Sequence, residues 1–304
     1  MNRPEFTLID LDQEELEGHR LFLGCWLYRT PDLVFLVDPG PASSAEKLVE
    51  ELRAEGVRRL DAVLLTHIHI DHAGGTGHLL RSFPEARVYC HESGRRHLVD
   101  PARLWKGSRA VLGRVAGVYG APSPVPEANL IDEAAVERLG VRVMPTPGHA
   151  PHHVSFVCGD ALLVGEAIGT HCPLPGRRDD QVYLRPATPP RFFLDQAVAS
   201  IDSLLALDPA PERILFAHYG ERGEAAELLE AGREQLRWWT SVVAELAAVS
   251  EENLEERAHF RLLEEDPLYA NFPALDEDIQ GRERLYAGHT IQGMLGCLHG
   301  EAGK

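Results

Sequence analysis

A short apolar run followed at once by histidines stands at residues 60–72, which read LDAVLLTHIHIDH. The first six residues are typical of a buried strand. In an extended segment, residues two apart point the same way, so His67 and His69 are placed to bind one ion together. The chain then turns, and Asp71 and His72 face a second position nearby. Imidazoles and carboxylates are ligands of zinc, iron and manganese, so this stretch predicts a metal site at the end of a strand.

Three further polar residues each follow a short apolar run that predicts a strand. His149 comes after residues 141–144 through a Pro-Thr-Pro-Gly turn, Glu166 follows residues 161–165, and His218 follows residues 214–217. Each of them alone would pass for an ordinary turn residue. Strand ends at one edge of a sheet converge in space, and α/β proteins build their sites there. Together with the histidine stretch, these residues make a complete set of ligands for two ions.

Strands alternate with helices over the first part of the chain, and only helices are predicted from residue 223 onward. Predicted strands lie at 21–28, 33–37, 60–65, 87–91, 141–144, 154–158, 161–164 and 214–217. Predicted helices lie at 45–55, 78–82, 194–207, 225–246, 251–263 and 281–298. Gly176–Pro190, with Arg177 and Arg178, is predicted to be a long loop over the site. The organisation is a mixed α/β catalytic domain at 1–248 and an acidic helical extension at 249–304.

The C-terminal helices have two interpretations. Apolar residues along them, including Trp238, Trp239 and Leu262, favour packing onto the core or onto a second subunit. The alternative is a lid that adds apolar surface to a substrate pocket. A homodimer is one expectation that follows from the first interpretation.

The composition narrows the class of protein. The 304 residues are 44% hydrophobic and 25% charged, which indicates a globular chain and excludes disordered or collagen-like classes. No apolar run approaches the ~20 residues needed to cross a bilayer, and the first five residues lack the pattern of a secretory signal. Five scattered cysteines without CxxC spacing favour neither a disulfide framework nor a thiolate zinc site. We therefore expect a cytoplasmic protein that does not bind membranes.

The net charge of −17 comes from 47 acidic and 30 basic residues. A surface this acidic repels phosphate backbones, so nucleic acid is not an expected partner. Residues 221–304 contain 18 acidic and eight basic residues, which places more than half of the excess near the C-terminus. The charge therefore says little about the candidate metal site, and a small molecule is the expected substrate.

The sequence resembles the metallo-β-lactamase superfamily, in its glyoxalase II-like binuclear branch. The resemblance rests on elements in the family's order: LVDPG around Asp38, the THIHIDH stretch, PGH ending at His149, GE ending at Glu166, and the late His218. It implies an αβ/βα sandwich, in which two mixed sheets face each other with helices outside and metals at one rim.

The resemblance also implies two divalent metal ions, with zinc expected and iron or manganese as alternatives. The implied ligands are His67, His69 and His149 for the first ion and Asp71, His72 and His218 for the second. Glu166 stands where the family usually has an aspartate that bridges both ions, and its side chain is one methylene longer. Because two-metal hydrolysis needs ions about 3.5–4 Å apart, this difference leaves open whether Glu166 bridges them.

The activity implied by the resemblance is hydrolysis, in which a metal-bound hydroxide attacks a thioester, a lactone or a related acyl ester. Asp71 would orient the nucleophile and handle its proton. Asp38 would hydrogen-bond a ligand imidazole and fix its tautomer. An iron-dependent dioxygenase acting on sulfur compounds and an oxygen-binding diiron protein, both on the same fold, are the alternatives.

Other polar residues lie close to the implied ligands along the chain. His153 is expected to make a structural hydrogen bond rather than to bind an ion. The candidates for substrate contact are His152, His171, Tyr183, Arg185 and Tyr219. Cys172 is not expected to act as a nucleophile, because the metal supplies one.

Overall fold

The computed structural model describes residues 5–176, 181–190 and 192–300. Its strands are β1 Phe6–Asp10, β2 Gly24–Arg29, β3 Val34–Val37, β4 Ala62–Leu64, β5 Arg87–Tyr89, β6 Arg142–Pro145, β7 Val154–Cys158, β8 Ala161–Gly165, β9 Thr170–Cys172, β10 Tyr183–Arg185, β11 Arg213–Phe216 and β12 Glu221–Gly223. Its helices are α1 Ala45–Ala54, α2 Ile70–Ala73, α3 Thr76–Leu79, α4 Arg95–Val99, α5 Ala102–Leu112, α6 Arg114–Tyr119, α7 Glu133–Glu137, α8 Leu194–Leu205, α9 Ala225–Val249, α10 Leu254–Glu265 and α11 Glu277–Leu298.

The strands form two five-stranded sheets and one small two-stranded sheet. The first sheet has the order β1-β2-β3-β4-β5, and the second has the order β12-β11-β8-β7-β6. Both are mixed: β3, β4 and β5 run parallel, as do β8 and β11, while the remaining neighbouring pairs are antiparallel. Strands β9 and β10 pair with each other.

Alternating side chains along the strands build the layers. Phe35 and Val37 of β3 join Phe156 of β7 and Leu163 of β8 in a cluster between the two large sheets. Leu36, which lies between Phe35 and Val37, packs instead against the helices outside the first sheet. Successive residues of a strand point to opposite faces, so a continuous apolar strand fills two cores at once. The predicted αβ/βα sandwich is confirmed.

The C-terminal helices cover the outer face of the second sheet. One apolar cluster joins strand residues such as Ile214 to Trp239 of α9, Leu262 of α10 and Ile291 of α11. The proposed boundary at residue 248 falls near the end of α9, so this cluster contains residues from both sides of it. The boundary stays a prediction. Among the described residues, no helix is long and apolar enough to span a bilayer.

The segment from Gly176 to Pro190 differs from the loop that was predicted. Strand β10 lies within it and pairs with β9, with Leu184 opposite His171. Arg177 and Arg178 lie outside the described residues. The edge strands β1 and β12 contain polar residues, such as Thr7 in β1 and Glu221 in β12, which is why apolar periodicity did not reveal them.

Candidate metal centre

The candidate ligands gather at one rim of the sandwich, where loops leave the ends of the strands. His67 follows β4, and His69 is the N-cap of the short helix α2, with φ −58° and ψ 149°. The extended backbone at His69 ends there and the helix begins, which turns the next residues toward a second position. The other ligands come from the loop between β6 and β7 and from the ends of β8 and β11.

The ligand atoms form two groups, and in each group all of them lie within 4.8 Å of one another. The first group consists of His67, His69, His149 and Glu166, and the second consists of Asp71, His72 and His218. These are the two sets that the family resemblance implies, with Glu166 joined to the first. The role of each residue as a ligand remains a proposal.

Glu166 lies between the two groups. Its Oε2 is 3.0 Å from His149 Nε2 and 3.2 Å from His67 Nε2. Its Oε1 is 3.2 Å from His218 Nε2, in the second group. Its Oε2 also lies 3.4 Å from His72 Nε2, so the Glu166 carboxylate contacts histidines of both groups.

Asp71 is the partly exposed member of the second group. Asp71 Oδ2 lies 3.5 Å from His72 Nε2 and 3.9 Å from His218 Nε2. The side chain of Asp71 keeps 19% of its surface exposed, whereas His72 keeps 1%. Asp71 and Glu166 both line the cavity above the site, and Asp71 is the more exposed of the two.

Burial and neighbouring charges move the pKa values of these groups in opposite directions. Burial, together with the neighbouring imidazoles, holds the pKa of His67 and of His69 well below its usual value. Burial would also lower the pKa of His72, but the carboxylates of Asp71, Asp38 and Glu166 outweigh it and raise that pKa well above its usual value. The lowered pKa favours the neutral form of His67 and of His69, which is the form of imidazole that binds metals.

Asp38 supports two of the imidazoles. Its Oδ1 accepts a hydrogen bond from Thr66 N at 2.8 Å, and its Oδ2 accepts one from Thr66 Oγ1 at 2.6 Å. Thr66 Oγ1 is in turn 3.0 Å from His67 Nδ1, and Asp38 Oδ2 lies 3.5 Å from His72 Nδ1. Such contacts hold the ring orientation of a ligand histidine and leave its other nitrogen free for an ion.

His153 contacts the backbone beside Glu166. Its Nε2 accepts a hydrogen bond from Glu166 N at 3.0 Å, and its Nδ1 is 2.9 Å from Thr146 Oγ1. Burial, with the charge of His149, lowers the pKa of His153 to about 3, which keeps it neutral and able to accept. Gly165 makes room for it, because φ is +60° there and a Cβ would lie 2.3 Å from His153 Nε2.

A cavity of about 860 Å³ opens above both groups. Of the five residues expected to contact substrate, it is lined by His152 and Arg185. The other three lie elsewhere. His171 stacks on Phe216 and bonds to Tyr219 O, Tyr183 donates to Glu283, and Tyr219 donates to Asp10. Their polar atoms are thus held by protein partners away from the cavity.

Several residues that line the cavity were not anticipated from the sequence. Phe22 lies beside His218, with ring centroids 4.5 Å apart, and Tyr286 stacks on Phe22. Arg96 and Arg103 lie on α4 and α5. A signal for the arginines was available, because residues 95–114 contain six basic residues and one acidic residue in a strongly acidic chain.

The sequence is similar to known metallohydrolases. The profile of the metallo-beta-lactamase superfamily matches residues 24–218. A hydroxyacylglutathione hydrolase of Cupriavidus taiwanensis is 29% identical over 237 residues, which cover 75% of this chain and 76% of that protein. An atrochrysone carboxyl ACP thioesterase of Aspergillus fumigatus is 32% identical over 143 residues, covering 45% of this chain and 36% of that protein. The chain thus spans most of the first relative and about a third of the second.

Solved structures show the same fold. A metallo-beta-lactamase family protein from Thermus thermophilus has a TM-score of 0.60 at 21% identity, covering 97% of this chain and 93% of that chain. An archaeal metallo-beta-lactamase superfamily protein from Sulfolobus tokodaii has a TM-score of 0.58 at 22% identity, with 76% and 86% covered. At these identities the likeness concerns the fold alone.

Proposed function

Because this chain belongs to the metallo-beta-lactamase superfamily, we propose that it is a metal-dependent hydrolase of thioesters, lactones or related acyl esters. The observation that carries the proposal is the pair of ligand groups joined by Glu166 at the floor of one cavity. The hydroxyacylglutathione hydrolase and the thioesterase among its relatives support the acyl ester class, and thioesters in particular.

The residues present fit divalent metal ions. His67 Nε2 and His72 Nε2 are buried, and although Glu166 Oε2 lies 3.2 Å from the first and 3.4 Å from the second, neither nitrogen makes a hydrogen bond of good geometry among the described residues. Each therefore leaves a lone pair or a proton unsatisfied inside the protein. Nitrogen donors with two carboxylates suit zinc, and we propose two zinc ions, with iron or manganese as substitutes. Bound there, such ions would polarise a carbonyl and lower the pKa of a water to about 7.

The residues of the chain have separable roles in this proposal. Asp71, the most exposed of the carboxylates, orients the attacking water and accepts its proton. His149 Nδ1 donates to Ala187 O at 3.0 Å, which fixes the tautomer that leaves Nε2 free to bind. Asp38 orients the rings of His72 and, through Thr66, of His67, while His153 accepts a hydrogen bond from the backbone N–H of Glu166.

The test replaces Asp71 and measures both turnover and metal content. Asp71→Asn should lower the hydrolysis of a thioester by about 100-fold or more, the range expected for loss of a general base. Asp202→Asn is the matched control, because Asp202 pairs with Arg233 on the surface. Near-normal turnover with normal metal content in Asp71→Asn would show that the assigned role is wrong.

A further inference from the structure

The last turn of α6 carries the hydroxyl of Tyr119 into the protein interior beside the candidate metal centre. Tyr119 is 1% exposed, and its side chain belongs to the apolar cluster that contains Ile70 and Ala73 of α2. Helix α2 also carries Asp71, and α6 packs against it. Within the described part of the chain, the Tyr119 hydroxyl makes no hydrogen bond of good geometry. A buried hydroxyl without a partner costs free energy, so this group calls for an explanation by function.

The carboxylate of Asp71 has an oxygen without a donor. Its Oδ2 lies 3.5 Å from His72 Nε2 and 3.9 Å from His218 Nε2, and these are its contacts with the other described residues. Its Oδ1 therefore accepts no hydrogen bond from the described residues. Burial raises the pKa of Tyr119 well above its usual value, and the charge of Asp71 adds to this shift, as expected for neighbouring groups. A donor without an acceptor thus lies near an acceptor without a donor.

A second hydroxyl, that of Tyr286 on α11, lies at the same cavity wall as Asp71, but its proton is engaged elsewhere. Its oxygen lies 3.3 Å from His19 Nε2, while His19 Nδ1 lies 3.0 Å from Glu17 O. A carbonyl oxygen only accepts, so Nδ1 carries the proton of the ring, and burial lowers the pKa of His19 and favours its neutral form. His19 Nε2 therefore accepts the proton of Tyr286. Of the two hydroxyls, that of Tyr119 has its proton available for Asp71.

The oxygen of Tyr286 is the competing acceptor for this proton, because the side chains of Tyr119 and Tyr286 pack in one apolar cluster. A hydrogen bond to an ionised carboxylate is roughly twice as strong as one between neutral groups. The carboxylate of Asp71 meets the hydroxyl by turning about its terminal torsion, which is soft. Asp71 is therefore the acceptor that best satisfies the Tyr119 hydroxyl.

We propose that Tyr119 is a positioning residue, whose hydroxyl donates a hydrogen bond to Asp71 Oδ1 and thereby keeps Oδ2 directed at the second ligand group. This inference rests on the role of Asp71 in the proposed hydrolase. A carboxylate that is held at one oxygen has less freedom to rotate away from the attacking water or from an ion. Tyr119 itself touches neither the substrate nor an ion, so it acts through Asp71.

The first experiment removes the hydroxyl and measures steady-state kinetics with butyryl-pantetheine, a small uncharged thioester. Tyr119→Phe should lower kcat by about tenfold and leave KM nearly unchanged, because the loss of a group that orients a metal ligand costs at least this factor. Tyr89→Phe is the matched control, since Tyr89 is a buried tyrosine in the cluster between the two large sheets. It should leave both constants unchanged. An unaltered kcat in Tyr119→Phe would overturn the proposal.

A double-mutant cycle tests whether the hydroxyl acts through Asp71. In Asp71→Asn the side chain can no longer accept a proton, so its orientation ceases to matter. Adding Tyr119→Phe to Asp71→Asn should therefore leave kcat at the value of Asp71→Asn alone. A merely structural hydroxyl would lower kcat by the same factor in both backgrounds. That result would overturn the role of Tyr119 while the hydrolase proposal stands.

A metal titration gives a result that does not depend on hydrolysis. Zinc is titrated into the metal-depleted wild type, Tyr119→Phe and Tyr89→Phe. The affinity for the more weakly bound of two ions should fall by about tenfold in Tyr119→Phe and stay unchanged in Tyr89→Phe. If this loss is seen and no thioester is hydrolysed, the hydrolase proposal fails and the role of Tyr119 in holding Asp71 stands. Equal affinities in the three proteins, or no second ion in the wild type, would overturn that role.

Discussion

Glu283→Gln should destabilise the protein by about 3 kcal/mol at pH 7. Glu283 is 1% exposed and ties α11 to the rest of the fold. Its Oε2 accepts hydrogen bonds from Tyr183 and from Arg185 Nε, each at 2.9 Å, and its Oε1 accepts one from Arg282 Nε, also at 2.9 Å. Removal of its charge leaves two buried guanidinium groups without their partner, which is far more costly than the loss of a surface pair.

The magnitude follows from the pKa of Glu283. Burial would raise it, but the guanidinium groups of Arg185 and Arg282 outweigh burial and lower it from 4.5 to about 2. A shift of this size corresponds to about 3 kcal/mol. Because the pKa is lower in the folded state than in the unfolded state, the stabilisation is complete above pH 4.5 and is lost as the pH falls toward 2.

Urea denaturation of the wild type and of Glu283→Gln measures this free energy of unfolding. The difference between them should be about 3 kcal/mol at pH 7 and about 1 kcal/mol at pH 3. Glu264→Gln is the control, since Glu264 is an exposed residue of α10. A difference below about 1 kcal/mol at pH 7, or one that grows as the pH falls, would refute the reasoning.

Two other positions near the metal centre give further predictions. Phe22→Leu removes the ring that lies between His218 and Arg282. In a metal titration, the affinity for the second of two ions should therefore fall by about tenfold or more. Phe83→Leu, a substitution of another buried phenylalanine, is the control and should leave this affinity unchanged. An unchanged affinity in Phe22→Leu would exclude this role. Gly165→Ala should lower the free energy of unfolding by at least about 1 kcal/mol more than Gly56→Ala does. Both glycines have positive φ, but only at Gly165 would the added Cβ collide with a neighbouring atom, His153 Nε2. Equal losses of unfolding free energy in the two variants would show that the His153 side chain can move aside without an energetic penalty.

The strands that could be predicted are those with apolar residues on both faces. β3, β8 and β11 lie inside their sheets, so their sequences are continuous apolar runs. β9, β10 and β12 are three residues long and each contains polar residues, so no apolar run marks them, whereas the equally short β4 lies within the apolar run at residues 60–65. Most of the candidate ligands could be predicted because each of them follows the end of a predicted strand.

The residues that line the cavity were harder to predict than the ligands. A candidate ligand such as His149 is marked by its chemistry and by the strand end before it. Arg96 and Arg103 reach the cavity only because α4 and α5 are placed there by tertiary packing. Tyr183 illustrates the reverse: it lies two residues from Arg185 along β10, yet its hydroxyl turns to Glu283 in the core. Sequence proximity to a site does not determine which way a side chain faces.

The buried contacts of α11 bear on the function of the C-terminal helices. Arg282 NH1 donates to the carbonyls of Gly18 and Arg20, and its guanidinium carbon lies 4.2 Å from the Phe22 ring centroid. The same helix presents Tyr286 to the cavity. The packing interpretation and the lid interpretation therefore describe two faces of one helix.

The central claim is that two divalent ions support hydrolysis at this site. The most direct measurement determines the metal content of the purified protein and follows its turnover of butyryl-pantetheine, with an oxygen electrode in the same vessel. We predict about two equivalents of divalent metal per chain, acid release that continues at the same rate under argon, and loss of activity with a chelator that added metal restores. Full turnover by metal-depleted protein, or turnover that requires and consumes oxygen, would contradict the account.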